Sequence, residues 1–350
     1  MTSTLHGVGD IVAYLPYEFG FIPHDSIVMI GLHGGSIQFT ARIDTPPADE
    51  SFAAAAHLLQ PVDRTPIDDV LLVLYDDACR SGDALVTAAR HRLDRRDIVL
   101  SHVVHVSASG WRAVACRCGH CPRHWTAPSA DTDVGPIADR VLCGVAPVAD
   151  RATLAGELDQ RHPLVAMAVS AELDKLDLMC VGDGRPAVAT PEATEALATV
   201  LVDQSRPVAR VPVTMLAVAT DLMSEVLVRD AVLAWLMPDF LDQQRVPLWP
   251  SLQARLGPPP TRSEDGIFGD RAPMIAGRLK EWVQCLPPQD AVPVLLLVAG
   301  LHWTMGAGAV ATMALQRALA IEPECNLAQL LDAAVQRGLR PSRREDRRPA

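Results

Sequence analysis

The run Val70-Leu71-Leu72-Val73-Leu74-Tyr75 decides the fold class of this chain. Six consecutive apolar residues between turn-forming residues are typical of a β-strand that is covered on both faces. Further strand-like runs lie at residues 26–32, 36–43, 98–106 and 111–115, and helical runs lie at 51–59 and 83–93. Strands that alternate with helices predict an α/β domain over residues 1–150, built as a sheet with flanking helices.

After residue 150 the β-branched alternating runs stop and helical spacing takes over. We therefore predict an all-α helical domain over residues 151–340, with every strand placed before it. A stretch rich in Pro, Gly and charge at about 257–272 predicts a mobile loop, and residues 341–350 predict a disordered basic tail. The predicted helices span residues 152–158, 163–178, 191–202, 213–236, 274–285, 292–303, 309–320 and 327–337.

Charge, cysteine content and hydropathy indicate which partners and which compartment we expect for this protein. The formal net charge of -11 disfavours a nucleic-acid partner, because affinity for phosphate backbones needs clustered Lys and Arg. The first ten residues show neither the basic nor the apolar region of a signal peptide, so we expect a cytoplasmic protein with eight cysteines present as thiols or metal ligands. The uncharged stretch 291–316 is broken by Pro and Gly, which favours two buried helices and no membrane span.

Two groups of short motifs are similar to the signatures of domain of unknown function family DUF4192. The first is DIVAYLPY at residues 10–17, followed by GFIP at 20–23 and DSIV at 25–28. The second is LHWTMGAGA at residues 301–309, followed by Ala-Leu and Arg-Ala-Leu up to residue 319, and Arg229-Asp230 matches a further motif between the two. The resemblance covers nearly the whole chain and implies a shared fold without assigning an activity.

The densest group of metal-binding residue types is Cys116-Arg117-Cys118-Gly119-His120-Cys121, with His124 three residues further on. Thiolates and imidazoles at short spacing suit tetrahedral zinc, and a glycine lets such a loop fold back on an ion. Cys116, Cys118, Cys121 and His124 are therefore the predicted zinc ligands. A plain thiol loop or a redox-labile cysteine pair remains an open alternative, because C-x-C chelates zinc less well than C-x-x-C and no second cysteine pair lies at finger-like distance.

Two carboxylates, Asp76 and Asp77, directly follow the strand that decides the fold. Ligands of α/β sheets bind at the carboxyl ends of strands, so this position is the default one for catalysis. Adjacent residues of an extended chain point to opposite faces, however, so the two carboxylates cannot serve one reacting atom. Capping of a turn is the alternative role. The sequence contains no Walker loop, G-x-S-x-G elbow or H-E-x-x-H pair.

Glycines near the C-terminus predict a helical hairpin. Gly306 and Gly308 are costly inside a helix, so we expect them to end one helix and begin the next. Ala311, Ala314 and Ala318 would then form a small-residue face for close helix packing.

Three polar residues fall within the apolar helical runs. His302 is predicted to be a buried core histidine. Arg229 and Asp230 lie at i and i+1 of a helix and are predicted to pair with neighbouring helices and not with each other.

These observations favour a non-enzymatic binding or regulatory protein that contacts a protein partner through its C-terminal helices. The alternative is a hydrolase-type enzyme with its site near Asp76 and Asp77. A zinc-containing nucleic-acid binder is a third class, which the acidic balance disfavours. Zinc is the one cofactor that the residue pattern suggests, and the oligomeric state is left open.

Overall fold

The structure, a computed structural model, describes residues 4–75, 82–142, 146–180, 190–238, 249–260, 271–337 and 339. The chain divides into an N-terminal unit, residues 1–151, and a C-terminal unit, residues 152–350. The described residues do not include Asp76, Asp77 or the tail 341–350, and they include less than half of the 257–272 stretch.

A five-stranded mixed sheet forms the centre of the N-terminal unit, with strand order β2-β1-β3-β4-β5. β3 and β4 run parallel, and every other neighbouring pair is antiparallel. All five strands coincide with the predicted runs to within one residue at each end, so this part of the fold prediction is confirmed. The strands are β1 (Ser26–His33), β2 (Ser36–Asp44), β3 (Asp69–Tyr75), β4 (Val99–Ser107) and β5 (Gly110–Cys116).

Helices cover both faces of this sheet, as the continuous apolar run of β3 predicts. One face carries Leu72 and Leu74 of β3 in a cluster with Leu58 and Leu85 of the two helices on that side. The other face packs Val73 in a cluster with residues of the first helix. The helices of this unit are α1 (Val8–Phe19), α2 (Ser51–Leu58), α3 (Gly82–Asp94), α4 (Gly135–Leu142) and, at the boundary between the units, α5 (Arg151–Ala155).

Helix α1 shows one departure from simple proline rules. Pro16 would be expected to stop the helix at Leu15, yet the helix continues to Phe19. A proline removes a single backbone N–H donor, and one further turn still closes with the bond from Gly20 N–H to the Pro16 carbonyl oxygen at 2.8 Å.

All regular secondary structure in the described part of the C-terminal unit is helical, and none of these described residues belongs to a β-strand. The predicted helix 213–236 is two helices, because Glu225 has an extended backbone (φ -74, ψ 115) that interrupts the hydrogen-bond pattern. The helices are α6 (Pro163–Cys180), α7 (Pro191–Val202), α8 (Val213–Ser224), α9 (Val226–Leu236), α10 (Trp249–Leu256), α11 (Arg271–Gln284), α12 (Val292–Thr304), α13 (Gly308–Ile321) and α14 (Asn326–Gln336).

Helices α12 and α13 form the predicted hairpin. Gly306 takes the left-handed conformation (φ 79) that ends α12, and Gly308 begins α13. Ala311, Ala314 and Ala318 are all fully buried. Over the part of the chain that the structure describes, no helix combines the length and apolar character that a membrane span needs.

A buried arginine holds the end of α7. The guanidinium of Arg278 donates hydrogen bonds to the carbonyl oxygens of Val200 at 2.7 Å, Arg206 at 2.9 Å and Thr199 at 2.9 Å. These acceptors lie at a helix C-terminus and just beyond it, where carbonyls lack partners within the helix. Arg278 therefore joins α11 to α7 by satisfying groups that burial would otherwise leave without partners.

His302 is a buried core histidine, as predicted, with 5% of its surface exposed. Its Nδ1 lies 2.9 Å from the Val298 carbonyl oxygen, and burial lowers its pKa to about 3. The expectation for Arg229 and Asp230 is wrong. Arg229 Nη2 lies 3.1 Å from Asp230 Oδ1, because flexible side chains at adjacent helical positions can bend toward each other at the surface.

We expect Ala314→Leu to destabilise the protein by about 1–3 kcal/mol, because the added side chain overpacks the contact between α12 and α13. Arg317→Ala is the matched control on the same helix. It removes an exposed ion pair to Asp159 (2.7 Å), which is worth at most about 1 kcal/mol. Urea unfolding of both variants gives the comparison. A neutral or stabilising Ala314→Leu would contradict the close helix contact.

Acid should destabilise the protein partly through His302. Its folded-state pKa lies below the ordinary value of 6.5, so this contribution is complete above pH 6.5 and is lost as the pH falls toward 3. Between pH 7.5 and pH 5 the loss is about 2 kcal/mol. We expect His302→Leu to lose less stability over this range in urea unfolding, whereas the exposed His91→Gln should behave as the wild type. Equal pH dependence in all three proteins would contradict this role.

Candidate metal centre

The hairpin of β4 and β5 places a histidine opposite a cysteine. Val104 pairs with Ala113 and Val103 pairs with Ala115, so Val114 is an extra residue in β5. Such a bulge shifts the register by one residue beyond it. His102 of β4 is therefore directly opposite Cys116, the last residue of β5.

The cysteine loop, residues 117–126, folds back along the free edge of β5. Trp111 and Thr126 exchange two backbone hydrogen bonds of 2.8 and 2.9 Å, and Ala113 N–H donates to the Pro122 carbonyl oxygen at 2.7 Å. Gly119 supplies the reversal with a left-handed backbone (φ 76) that other residues adopt at a cost. This path brings Cys121 back beside Cys116.

Four potential metal ligands converge as a result. The ligand atoms of His102, Cys116, Cys118 and Cys121, which we call the His–Cys cluster, all lie within 4.8 Å of one another. The Sγ atoms of Cys116 and Cys118 are 3.0 Å apart, and those of Cys118 and Cys121 are 3.7 Å apart. All three cysteines are free thiols, Cys118 is exposed, and the other three side chains are half-buried.

A hydrogen-bond chain from the sheet orients the histidine. Ser101 Oγ donates to the Val70 carbonyl oxygen at 3.3 Å and lies 2.8 Å from His102 Nδ1. In the tautomer that carries its proton on Nδ1, the imidazole donates to Ser101 Oγ, and the lone pair available to an ion is on Nε2. Metal-binding histidines commonly have such a second hydrogen bond, which fixes the tautomer and the ring plane.

The thiols differ in acidity within the cluster. Burial raises the pKa of Cys116, but hydrogen bonds from the Cys118 thiol and from the backbone N–H groups of Cys121 and Gly119 outweigh it and lower that pKa to about 6. The pKa of Cys121 is raised to about 12, by burial first and by the two neighbouring sulfurs second. Negative charge is therefore concentrated on Cys116, which is a ready ligand for a cation.

The structure brings together three of the four predicted zinc ligands, Cys116, Cys118 and Cys121. His124 is not part of the cluster; it is exposed, and its carbonyl oxygen accepts a hydrogen bond from Thr126 Oγ1 at 3.2 Å. Its place is taken by His102, which sequence reasoning missed because it precedes the cysteines by a whole strand. Asp76 and Asp77, the candidate catalytic residues, lie outside the described residues.

A cavity of about 570 Å³ adjoins the cluster at the end of α3 and the start of β4, and we call it the α3–β4 cavity. Its wall includes Cys116 and the Ser101 that orients His102. The wall also includes charged residues of both signs, Arg90, Asp94, Asp97 and Arg117, and a run of apolar residues.

Comparison with known proteins assigns the chain to a family. No curated protein and no solved structure matches the chain. The sequence model of one family, described as Domain of unknown function (DUF4192), matches residues 9–342. That match extends over nearly all of the sequence, from the start of α1 past the end of α14, and agrees with the resemblance of the terminal motifs. The chain belongs to the DUF4192 family.

Proposed function

We propose that this protein is a non-enzymatic binding protein whose N-terminal unit holds a structural zinc ion in the His–Cys cluster. The convergence of one imidazole and three thiol ligand atoms within 4.8 Å carries the proposal. Cys₃His is one of the ligand sets of structural zinc sites.

The chemistry of the cluster favours zinc over harder ions. Thiolates and imidazole are soft or borderline ligands, whereas calcium and magnesium require oxygen ligands. Four protein ligands also close a tetrahedral site, while catalytic zinc keeps one position open for water or substrate. A site filled by protein ligands supports a structural role and a protein that acts by binding.

The observed sulfur separations are close to those that zinc requires. Tetrahedral zinc with bonds of ~2.3 Å to sulfur places two sulfur atoms about 3.8 Å apart. Cys118 and Cys121 are already 3.7 Å apart. Cys116 and Cys118, at 3.0 Å, must separate by about 0.8 Å to accept the ion. Cys118 is exposed and follows the last residue of β5, so a small movement of its side chain suffices.

A protein partner at the C-terminal helices forms the second part of the proposal. Leu330 of α14 is 69% exposed, and a contact with another protein would remove this apolar surface from water. The five cysteines whose state is described are all free, which supports a reducing, cytoplasmic compartment.

No geometric observation favours hydrolase chemistry, because the described residues do not include Asp76 and Asp77.

We expect about one zinc per chain by elemental analysis of protein purified without chelator. Cys121→Ser should abolish binding, because serine does not replace a thiolate ligand of zinc. His102→Ala should also abolish tight binding, whereas His124→Ala should retain one zinc. This matched histidine pair distinguishes the observed cluster from the ligand set predicted by sequence spacing.

Two results would contradict zinc binding by the His–Cys cluster. One is metal-free protein whose thiols are reduced and whose stability is unchanged by a chelator. The other is loss of zinc in His124→Ala with retention in His102→Ala, which would restore the sequence-based ligand set and exclude the cluster described here.

Ser101→Ala tests the hydrogen-bond chain to His102. Loss of an outer hydrogen-bond partner of a metal-binding histidine weakens metal affinity by about 10–100-fold. We expect a decrease of this size in a competition titration against a chromogenic chelator, with zinc stoichiometry unchanged at saturation. Wild-type affinity in Ser101→Ala would show that Ser101 does not orient the ligand.

A further inference from the structure

We infer that Cys116, Cys118 and the α3–β4 cavity form a thiol–disulfide exchange site for a low-molecular-weight disulfide that carries both ammonium and carboxylate groups. Two independent observations support this site. One is a pair of sulfurs in contact, and the other is a cavity of mixed charge whose wall includes one of the two cysteines.

The thiol pair has the geometry of a dithiol that can close. Cys116 Sγ and Cys118 Sγ are 3.0 Å apart, so their bond can form after a movement of about 1 Å to the disulfide length. The Cys118–Cys121 distance of 3.7 Å is longer. Cys118 is exposed, whereas Cys285 and Cys325 are buried. The pair of Cys116 and Cys118 is therefore the one that is set up for exchange.

The cavity offers complementary charges to a zwitterion. Two arginines, Arg90 and Arg117, and two aspartates, Asp94 and Asp97, line about 570 Å³ of space. Within the described residues, none of these four side chains is engaged in an ion pair. A disulfide of two amino acids carries two carboxylates for the guanidinium groups and two ammonium groups for the carboxylates.

The exchange proceeds in two balanced steps. Cys116, as a thiolate whose proton has passed to solvent, attacks one sulfur of the small disulfide, the sulfur–sulfur bond of the ligand breaks, and one small thiolate leaves and takes up a proton from solvent. Cys118 then attacks the mixed disulfide at Cys116, and the second small thiol leaves with the proton of Cys118. The two protein thiols are oxidised to a disulfide, and the ligand disulfide is reduced to two thiols.

Exchange and zinc compete for the same sulfurs. A disulfide between Cys116 and Cys118 removes two of the four proposed zinc ligands and leaves His102 and Cys121, which cannot close a tetrahedral site alone. Coupling of exchange to zinc release rests on the proposed function, whereas the exchange step itself requires only the thiol pair and the cavity.

The test treats the full-length protein with cystine and, in parallel, with the neutral bis(2-hydroxyethyl) disulfide. Arg117 lies between the two cysteines, so trypsin places Cys116 in peptide 113–117 and Cys118 in peptide 118–123. We expect mass spectrometry to find these two peptides cross-linked, and to find the same cross-link in Cys121→Ser, in which Cys118 is the one cysteine left in peptide 118–123. A bond between Cys118 and Cys121 would instead lie within one peptide. In Cys118→Ser the mixed disulfide with half-cystine should remain on Cys116.

Charge variants test recognition by the cavity. Asp94→Asn and Arg90→Gln should each slow the reaction with cystine by roughly threefold, as expected for an exposed charge contact, and leave the reaction with the neutral disulfide unchanged. Arg95→Gln is the matched control, because Arg95 is exposed nearby and does not line the cavity. A chromogenic chelator present in the same reactions reports released zinc.

Three outcomes would overturn the inference. They are absence of any adduct on Cys116 in Cys118→Ser, a disulfide confined to peptide 118–123, and equal effects of the cavity variants on both disulfides. Failure of the zinc proposal is distinguishable, since it appears as protein without zinc that still forms the cross-linked peptides. Zinc-loaded protein that forms no disulfide would overturn the exchange site and leave the zinc site in place.

Discussion

Burial of β3 on both faces is the constraint on which the N-terminal unit depends. From Val70 to Tyr75 every side chain of the strand is buried, and both hydrophobic clusters of the sheet include residues from it. Such a strand stabilises the fold by removing apolar surface from water, at about 25 cal/mol per Å². It also leaves no face free for chemistry. Polar groups that bind a ligand must therefore come from strand ends or from the edge of the sheet.

The His–Cys cluster lies at the outer edge of the sheet, along β5. An uncovered edge strand presents backbone donors and acceptors to other chains, and proteins usually cover or shorten such edges. Here the cysteine loop covers it through backbone bonds at Trp111 and Ala113. The same fold-back carries Cys118 and Cys121 next to Cys116, so protection of the edge and assembly of the His–Cys cluster are one structural event.

The sequence was sufficient to predict the sheet because each strand is a long apolar or alternating run with clear turns between. It did not identify His102 as the fourth ligand, because the position of His102 opposite Cys116 depends on a bulge in β5. A regular hairpin with Ser107 opposite Gly110 would pair His102 with Ala115, and only the extra residue Val114 moves Cys116 into that position. A bulge of this kind has no strong sequence signature. His124 was predicted as the fourth ligand because it lies three residues after Cys121.

Two helix boundaries were also predicted incorrectly, because local sequence rules do not account for tertiary structure. Pro16 costs one hydrogen bond, and packing of α1 on the sheet through Val12 and Leu15 outweighs it. Glu225 divides one predicted helix into two although its residue type does not disfavour helix. The buried cap that Arg278 provides for α7 joins residues that are more than seventy positions apart, which no periodicity reveals.

A cross-link would stabilise the cysteine loop, and this effect connects its two proposed chemistries. Cys118, Gly119 and His120 are exposed, so burial of apolar surface contributes little to holding the tip of the loop. Fixing a backbone costs about 1–2 kcal/mol per residue in conformational entropy, and a few edge hydrogen bonds offset only part of that. Either proposed cross-link, zinc bound to three thiolates or a bond between two of them, would offset part of this cost, because both join the end of β5 to the loop that follows it. The two cross-links use the same Cys116 and Cys118 sulfurs and exclude each other. On the two proposals together, metal occupancy and thiol oxidation are therefore alternative ways of stabilising one backbone.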